Sequence, residues 1–259
     1  MIMDITSVEV AHMLVSLLKR LKTGTDHLNY GRDIIAGWGA NVLDGIEQPR
    51  IMDIGAGTGN DLMGIARRVD AVELFGIDCY QPNQEQLQNK GIHAVGLDIE
   101  RDAIPFPDGF FHLAIANQVL EHVKEVFWVL SEMARVVKPG GHVIVGVPNL
   151  ASLHNRIALL LGLQPTCINL ISAHVRGFTS HNAEQLFTLG GFFQIIGYTG
   201  SNFYPLPPAI SRPLSRWLPS MAVSSFYLLQ RTALAGSYID TIKPMRLETP
   251  FYTGEISPR

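Results

Sequence analysis

One segment of the chain combines glycine and aspartate at a spacing that suits ligand binding. It reads Asp53-Ile54-Gly55-Ala56-Gly57-Thr58-Gly59, and it stands between an apolar run and a helical pattern. Glycine lets the backbone turn tightly and approach a ligand closely, because no Cβ intervenes. The helix that follows presents free N–H groups and the positive end of its dipole. The segment therefore predicts a ligand-binding loop between a strand and a helix.

The spacing of the glycines and the charge of Asp53 limit the kind of ligand that this loop can bind. A dinucleotide-binding loop follows the pattern G-x-G-x-x-G, which needs a small residue where this chain has Asn60. Asp53 stands two residues before the first glycine, where a carboxylate would repel a pyrophosphate and attract an ammonium or a sulfonium. The pattern predicts a cationic ligand, and Asn60 and Asp53 disfavour an NAD(P)-dependent oxidoreductase.

The elements that must position this loop alternate along the chain. Short apolar runs are typical of strands that are covered by helices on both faces, and strands alternating with helices favour parallel β-α-β units. The predicted strands are 50–54, 72–77, 92–96, 111–116 and 142–147, and the helices between them are 59–68, 82–90 and 122–137. An amphipathic helix over 8–21 and a second helix around 30–44 precede this core. A helix over 150–163, a helix near 181–189 and strands near 192–199 and 224–231 follow it.

The ordered motifs resemble those of the class I S-adenosylmethionine-dependent methyltransferases, with a domain similar to methyltransferase types 11 and 23. The first motif is Asp53-x-Gly55-x-Gly57-x-Gly59, and the later ones are Phe75–Asp78, Ala94–Asp98, Pro105–Phe111, Asn117–Val123 and Arg135–Gly141. The resemblance covers residues 48–150 closely and 170–232 more loosely. It implies a Rossmann-like, doubly wound α/β fold, with a mostly parallel seven-stranded sheet that has one antiparallel edge strand.

The same resemblance assigns cofactor-binding roles to residues at successive strand ends. Asp78 would bind both ribose hydroxyls, since a carboxylate can make two charge-assisted hydrogen bonds to a diol. Asp98, with Ile99 beside it, would meet the adenine. The implied cofactor is S-adenosylmethionine, and the implied cofactor-binding residues are Asp53, Gly55, Ala56, Gly57, Gly59, Asp78, Cys79, Asp98, Ile99 and Asn117.

His112 departs from the family pattern, which usually has Asp at this position. The residue there usually supports the start of its strand, so we expect cofactor binding to be retained. A catalytically inactive scaffold or regulator that binds the cofactor would carry the same motifs. Turnover alone separates that alternative from an enzyme.

Several other side chains have both a functional and a structural interpretation. His122 either accepts a proton near the methyl group or, as we favour, makes a structural hydrogen bond. His174 and Arg176 either bind an acidic acceptor or belong to the scaffold. Tyr30 and Arg32 are candidates for closing over the cofactor from the N-terminal side. No catalytic residue is assigned, because in-line methyl transfer depends mainly on alignment and needs a base only for some acceptors.

The predicted domain organisation places the methyl acceptor at the carboxyl ends of the strands. Residues 1–47 form a helical cap, 48–233 the methyltransferase domain, and 234–259 a tail. Ligands of open α/β sheets bind at the carboxyl ends of the strands, where the cap and the insertions 148–178 and 200–220 can converge. The first insertion is apolar, and the second has Phe203, Tyr204 and Trp217 beside Arg212 and Arg216. We therefore expect an apolar or amphipathic small molecule as acceptor.

Composition excludes several other function classes. The 259 residues carry a net charge of −3, which gives no field that would favour nucleic acid. The longest apolar run, from 157 to 163, is far short of the roughly 20 residues that span a bilayer, although peripheral membrane contact stays open. Cys79 and Cys167 form no CxxC motif, which favours a reduced, cytoplasmic location. The nine histidines show no HExxH and no Cys/His ligand spacing, which predicts no metal site.

Overall fold

The protein is built on one seven-stranded sheet. The computed structural model describes residues 31–204, 206–245 and 247–254, so the predicted helix over 8–21 and Tyr30 lie outside the described residues. The strands are β1 (Arg50–Ile54), β2 (Glu73–Ile77), β3 (His93–Val95), β4 (Phe111–Asn117), β5 (Val137–Pro148), β6 (Phe193–Ser201) and β7 (Ser224–Arg231).

The sheet has the spatial order β3-β2-β1-β4-β5-β7-β6. Strand β1 pairs in parallel with both β2 and β4, and β4 pairs in parallel with β5. Strand β7 is antiparallel to both of its neighbours, β5 and β6. The predicted mostly parallel sheet with one antiparallel strand is confirmed, and that strand lies one place inside the outermost strand β6.

Helices cover both faces of the sheet, as the doubly wound prediction requires. The described helices are α1 (Arg32–Leu43), α2 (Asn60–Ala66), α3 (Gln81–Asn89), α4 (Val126–Val136), α5 (Leu153–Leu160), α6 (Ser180–Thr188), α7 (Pro208–Trp217) and α8 (Tyr238–Ile242). Side chains of α1, α2 and α3 pack in one buried cluster, and those of α4, α6 and α8 pack in the other. None of the helices in the described ranges has the length and apolar character needed to cross a membrane.

Successive side chains of the central strands point to opposite faces of the sheet, so these strands contribute to both buried clusters. Ile51 of β1 and Ile115 of β4 point to the α1–α3 face, whereas Met52 and Ala114 point to the α4 face. All four residues are fully buried, which explains why these strands are continuous apolar runs in the sequence. The central strands thus have little freedom to shift relative to one another, because a shift by one residue would reverse both faces.

His112 supports the start of β1 from β4. The backbone N–H of Arg50 donates to His112 Nδ1 across 3.1 Å. Burial, together with the positive charges of Lys138 and Arg50, lowers the pKa of His112, so the neutral ring with its acceptor lone pair is favoured. An imidazole nitrogen therefore makes the bond that the carboxylate usual at this position would be suited to make.

The insertion 148–178 and the segment that follows β6 are anchored by neutral amides. The buried Asn149 side chain donates to the carbonyls of Ser220 and Ala222, each at 2.9 Å. The buried Asn155 side chain donates to the carbonyl of Asn149 and accepts from the N–H of Thr166. These bonds join the two segments where they leave the sheet.

The last described part of the chain returns to the core. Tyr238 of α8 is fully buried, and its hydroxyl donates to the Phe187 carbonyl at 2.7 Å. Arg231, at the end of β7, donates to the Ala134 carbonyl at 2.7 Å. The region from about 236 onward, which shows no period in the sequence, therefore includes a short helix that packs beside α4.

Candidate active site

The glycine loop lies at the carboxyl edge of β1, between β1 and α2. Its Ala56 N–H donates to the Ile77 carbonyl at 3.0 Å, which extends the pairing with β2 beyond the strands. A Cβ at Gly55 would lie 2.6 Å from the Val119 side chain, so no larger residue fits there. At Gly57 the corresponding position has no atom within 4 Å. The loop therefore packs tightly at Gly55 and is open at Gly57, where a ligand can approach the backbone.

Asp78, directly after β2, is tied to this loop. One of its carboxylate oxygens accepts from the Gly57 N–H at 2.9 Å and from the Asn83 side-chain amide at 3.0 Å. The other oxygen accepts from the Tyr80 N–H at 2.9 Å. The second oxygen thus retains a lone pair, because each carboxylate oxygen can accept about two hydrogen bonds. The glycine loop and the end of β2 are therefore held as one unit.

A cleft of about 180 Å³ opens beside the loop. It lies where the strand order reverses between β1 and β4, which is the usual ligand-binding position in open α/β sheets. The residues that line it are Arg32, Gly55, Ala56, Gly57, Thr58, Asn60, Asp61, Asn117 and Gln118. Four predicted site residues, Gly55, Ala56, Gly57 and Asn117, therefore meet in one cleft.

One carboxyl group, that of Asp61, lines this cleft, and those of Asp53 and Asp78 lie close to its wall. Burial, together with the negative charges of Asp61 and Asp78, raises the pKa of Asp53 well above its usual value. Burial also raises the pKa of Asp61, although its bond from Asn117 and the charge of Arg32 act in the opposite direction. Arg32 offsets only part of the cost of this arrangement, since the pKa of Asp61 is still raised. The electrostatics of the site therefore favour a ligand that carries positive charge.

Asp61 is a site residue that the sequence analysis did not identify. Its carboxylate accepts from the Asn117 side-chain amide at 2.8 Å and lies 3.6 Å from Arg32 Nε. It stands in the first turn of α2, where a negative charge is stabilised by the helix dipole. The position of Asp61 in the first helical turn was the feature of the sequence that could have identified it as a site residue. Arg32, predicted to reach the cofactor from the cap, lies in the cleft wall.

Gln118 was also missed, and its backbone conformation marks it. It follows β4 with φ of 57°, a conformation that is uncommon for residues other than glycine, and its N–H donates to the Gly146 carbonyl at 2.8 Å. Its side-chain Nε2 is buried and has no hydrogen-bond partner among the described residues. A buried donor in a cleft wall is suited to a polar ligand, since an unsatisfied donor is costly.

Six predicted residues do not line this cleft: Asp53 and Asp78, described above, and four others. Gly59 packs against Leu87 and Ile92 at the start of α2. Cys79 is exposed. Asp98 is exposed and accepts from the Glu100 N–H at 3.0 Å, and Ile99 is half-buried beside it. The carboxylate of Asp98 thus shapes the turn after β3, some distance along the sheet from the glycine loop.

A turn at 118–123 connects the cleft to the insertion 148–178. The backbone carbonyl of Glu121 accepts from the N–H groups of Val175 and Arg176 at 2.8 and 3.1 Å. The Arg176 guanidinium donates to the carbonyls of Val123 and Lys124. Arg176 therefore serves the scaffold in this structure, which is one of its two predicted roles.

His122 and His174 meet above this turn. Their ring centroids are 4.6 Å apart with an interplanar angle of 80°. His122 Nδ1 lies 3.2 Å from the Ala173 carbonyl, and His174 Nδ1 lies 2.7 Å from the Cys167 carbonyl. The structural hydrogen bond that we favoured for His122 is present, and the Nε2 atom of each ring is directed elsewhere.

Comparisons with known proteins agree with this geometry. Residues 52–145 match the family described as a methyltransferase domain. The chain is 33% identical over 118 residues to the ubiquinone biosynthesis O-methyltransferase of Alkalilimnicola ehrlichii, covering 42% of this chain and 46% of that protein. It is 32% identical over 111 residues to the ubiquinone/menaquinone biosynthesis C-methyltransferase UbiE of Burkholderia cenocepacia, covering 41% and 44%. The matched region thus spans less than half the length of these two relatives.

A solved structure shares the fold across a larger part of the chain. The (4+2)-cyclase SpnF has a TM-score of 0.55 and 17% identity, covering 77% of this chain and 81% of its own. Residues 52–145 of the chain are thus similar in sequence to a methyltransferase domain, and they lie within a fold that this solved structure shares.

Proposed function

We propose that this protein transfers a methyl group from S-adenosylmethionine to an apolar or amphipathic small molecule. The observation that carries the proposal is the cleft beside the glycine loop, which has Asp61 in its wall and Asp53 and Asp78 close behind it. S-adenosylmethionine carries an ammonium and a sulfonium, and both are attracted to such a site. A dinucleotide would place a pyrophosphate there and would be repelled.

The residues present fit this cofactor group by group. The Asp78 carboxylate would accept from the ribose hydroxyls, and Asp98 with Ile99 would hold the adenine. Asp53 and the open backbone at Gly57 would meet the ammonium end. Arg32 lines the same cleft and would pair with the carboxylate of the methionine part, as a guanidinium does well. Gly55, Ala56, Gly59, Cys79 and Asn117 would complete the site.

The protein's contribution to the reaction is alignment. The bound cofactor supplies an electrophilic methyl group on a sulfonium, which leaves as a neutral thioether. The chain must hold the acceptor's lone pair in line with that methyl group and must exclude water. Gln118 and the turn at 118–123 lie between the cofactor cleft and the insertion, so we assign the acceptor to this side.

The insertion and the segment 200–220 support an apolar acceptor. The described residues of these two segments include Leu160, Leu170, Ile171 and Trp217, whose exposed fractions run from 79% to 95%. Large apolar side chains at this level of exposure are available for contact with an apolar ligand. The relatives whose names mention ubiquinone biosynthesis point in the same direction.

The test of the cofactor assignment is a calorimetric titration of purified protein with S-adenosylmethionine. Its demethylated product and NAD are titrated alongside. We expect the first two to bind and NAD not to bind. A turnover assay then compares long-chain and short-chain quinols with hydrophilic acceptors of matched reactive groups. Methylation of hydrophilic acceptors only would refute the acceptor class and leave the cofactor assignment intact.

A second candidate function is binding of the cofactor without methyl transfer. The neighbour SpnF is named as a (4+2)-cyclase, so a chain of this fold can carry a different reaction. This candidate predicts tight cofactor binding with no turnover on any acceptor. Formation of the demethylated product in the screen would exclude it.

A further inference from the structure

A second group of polar side chains lies next to the turn at 118–123. It consists of Glu121, His122 and His174, each of which offers one ligand-type atom within 4.8 Å of the other two. Two atoms bound at about 2.1 Å to one ion are separated by roughly 3–4 Å. Small side-chain rotations would therefore bring all three atoms onto one ion. The His122 side chain is 43% exposed and has room to rotate.

Both imidazole rings have the orientation of metal ligands. A backbone carbonyl can only accept a hydrogen bond, so the Nδ1 atoms of His122 and His174 must carry the protons that point to Ala173 and Cys167. Each Nε2 atom then has a free lone pair. In metal sites the ligating histidine characteristically donates its other ring N–H to a carbonyl or carboxylate. This arrangement is present twice in the cluster.

Glu121 supplies an independent indication. Its side chain is 1% exposed, and its Oε2 atom is buried without a hydrogen-bond partner among the described residues. Burial raises the pKa of Glu121 to about 7. A desolvated carboxylate with an unused oxygen is costly, and a bound cation removes that cost. The Nε2 atom of His122 lies 4.0 Å from Oε1 of the Glu121 carboxylate.

We propose that Glu121, His122 and His174 form a binding site for one divalent transition-metal ion. Two imidazoles and one carboxylate suit Zn²⁺ and Co²⁺ better than Mg²⁺ or Ca²⁺, which prefer oxygen ligands. No metal site was predicted from the sequence, because His174 lies more than 50 residues from Glu121 and His122 along the chain. Here the fold brings the third ligand from the insertion 148–178.

The position of the site suggests what the ion does. Three protein ligands leave coordination positions open for water or for an oxygen atom of the acceptor. Gln118, which lines the cofactor cleft, is three residues before Glu121. An acceptor hydroxyl bound to the ion would lose its proton more readily, because the ion stabilises the anion. This consequence depends on the proposed function, whereas metal binding does not.

The experiment uses tag-free full-length protein that has been stripped with a chelator and dialysed. Co²⁺, Zn²⁺ and Mg²⁺ are titrated separately by calorimetry, and Co²⁺ binding is also followed by its visible absorption. We expect one tightly bound Co²⁺ or Zn²⁺ per chain and much weaker Mg²⁺ binding. His174→Ala and Glu121→Gln should each weaken Co²⁺ binding by at least about 100-fold, since loss of an outer-shell partner alone costs about 10–100-fold.

The matched control is His181→Ala, which removes an exposed histidine of α6 outside the cluster and should bind Co²⁺ like the wild type. Glu121→Gln keeps the shape of the buried side chain, so it tests the site even if His174→Ala fails to fold. Equal Co²⁺ affinity in wild type and Glu121→Gln, or no binding by the wild type, would overturn the metal site. S-adenosylmethionine titrated into stripped protein tests the proposed function separately.

Discussion

Residues 52–145 and the two segments 148–178 and 200–220 use apolar side chains in opposite ways. Among the described residues, sixteen large apolar side chains are exposed; eleven of them lie in the two segments, and only Tyr80 lies in 52–145. The first region buries its apolar side chains and keeps a polar cleft in place. The second leaves them available on the surface. One part of the chain thus holds a polar cleft in a well-buried frame, whereas the other presents apolar side chains to its surroundings.

The two regions also differ in how buried polar groups are held. In the first, Arg135 donates to Glu132 at 2.6 and 2.8 Å and to the carbonyls of Ile104 and Phe106. In the second, the neutral amides of Asn149 and Asn155 make the corresponding bonds. Charged networks fix geometry more firmly and fail more severely when one partner is removed.

The largest expected effect comes from breaking the charged network of the first region. Arg135→Ala leaves the buried Glu132 without its counter-charge and should lower the free energy of unfolding by about 3–5 kcal/mol. Urea denaturation followed by circular dichroism measures this, with the exposed Arg67→Ala as the matched control. A loss no larger than that of the control would contradict the assigned importance of the network.

The next effect concerns the cofactor and not the fold. Asp78→Ala would remove the charge-assisted hydrogen bond that we propose between the remaining Asp78 lone pair and a ribose hydroxyl, worth about 1.5–3 kcal/mol, and also frees the Gly57 N–H. The affinity for S-adenosylmethionine should fall by about 10- to 100-fold, measured by calorimetry. Asp70→Ala, which changes an exposed aspartate between α2 and β2, is the control. Unchanged affinity would refute the ribose assignment.

Asp53 links stability to pH in the first region. Its pKa is raised in the folded protein, so the folded chain binds more protons than the unfolded chain above about pH 4. Stability without cofactor should therefore fall as pH rises from the ordinary aspartate pKa toward the raised one. Asp53→Asn cannot ionise, so it should lack this fall and be more stable than wild type at neutral pH.

The same substitution should weaken cofactor binding, because the attraction for the ammonium is lost. Thermal melting across pH, together with calorimetry at pH 7, checks both results. A wild-type stability that rises over the same pH window would show that Asp53 has a charge partner in the folded protein.

The smallest expected effect on stability comes from the second region. Leu160→Ser combined with Ile171→Ser changes two highly exposed side chains and should alter the free energy of unfolding by no more than about 0.5 kcal/mol per site. Cofactor affinity should stay unchanged. The KM for an apolar acceptor should rise about 10-fold or more, because two apolar contacts are lost. Leu120→Ser, at a fully buried position of the first region, is the comparison variant and should destabilise the fold.

The sequence allowed much of the first region to be predicted, for a physical reason. Strands covered on both faces are short apolar runs, and the helices between them begin and end near glycine and proline. Helix α7 was not predicted because its segment is rich in proline. Pro208 is tolerated there because the missing N–H at the first helical position would be unpaired in any case.

The residues missed at the site are those that depend on distant contacts. Asp61 meets Asn117 only because β4 lies beside β1, and His174 meets His122 only because the insertion folds back onto the turn at 118–123. The short helix α8 has too few residues for a period, and its burial depends on Tyr238 reaching Phe187. Such contacts have no local signal in the sequence.

The position of Phe226 has a consequence for the order in which the protein is made. A Cβ at Gly31 would lie 2.0 Å from the ring of Phe226, so the start of α1, which carries Arg32, rests on a residue of β7. At about 5–20 residues per second, Phe226 leaves the ribosome roughly 10–40 s after Gly31. A nascent chain therefore has its glycine loop well before it can complete the wall of the cleft.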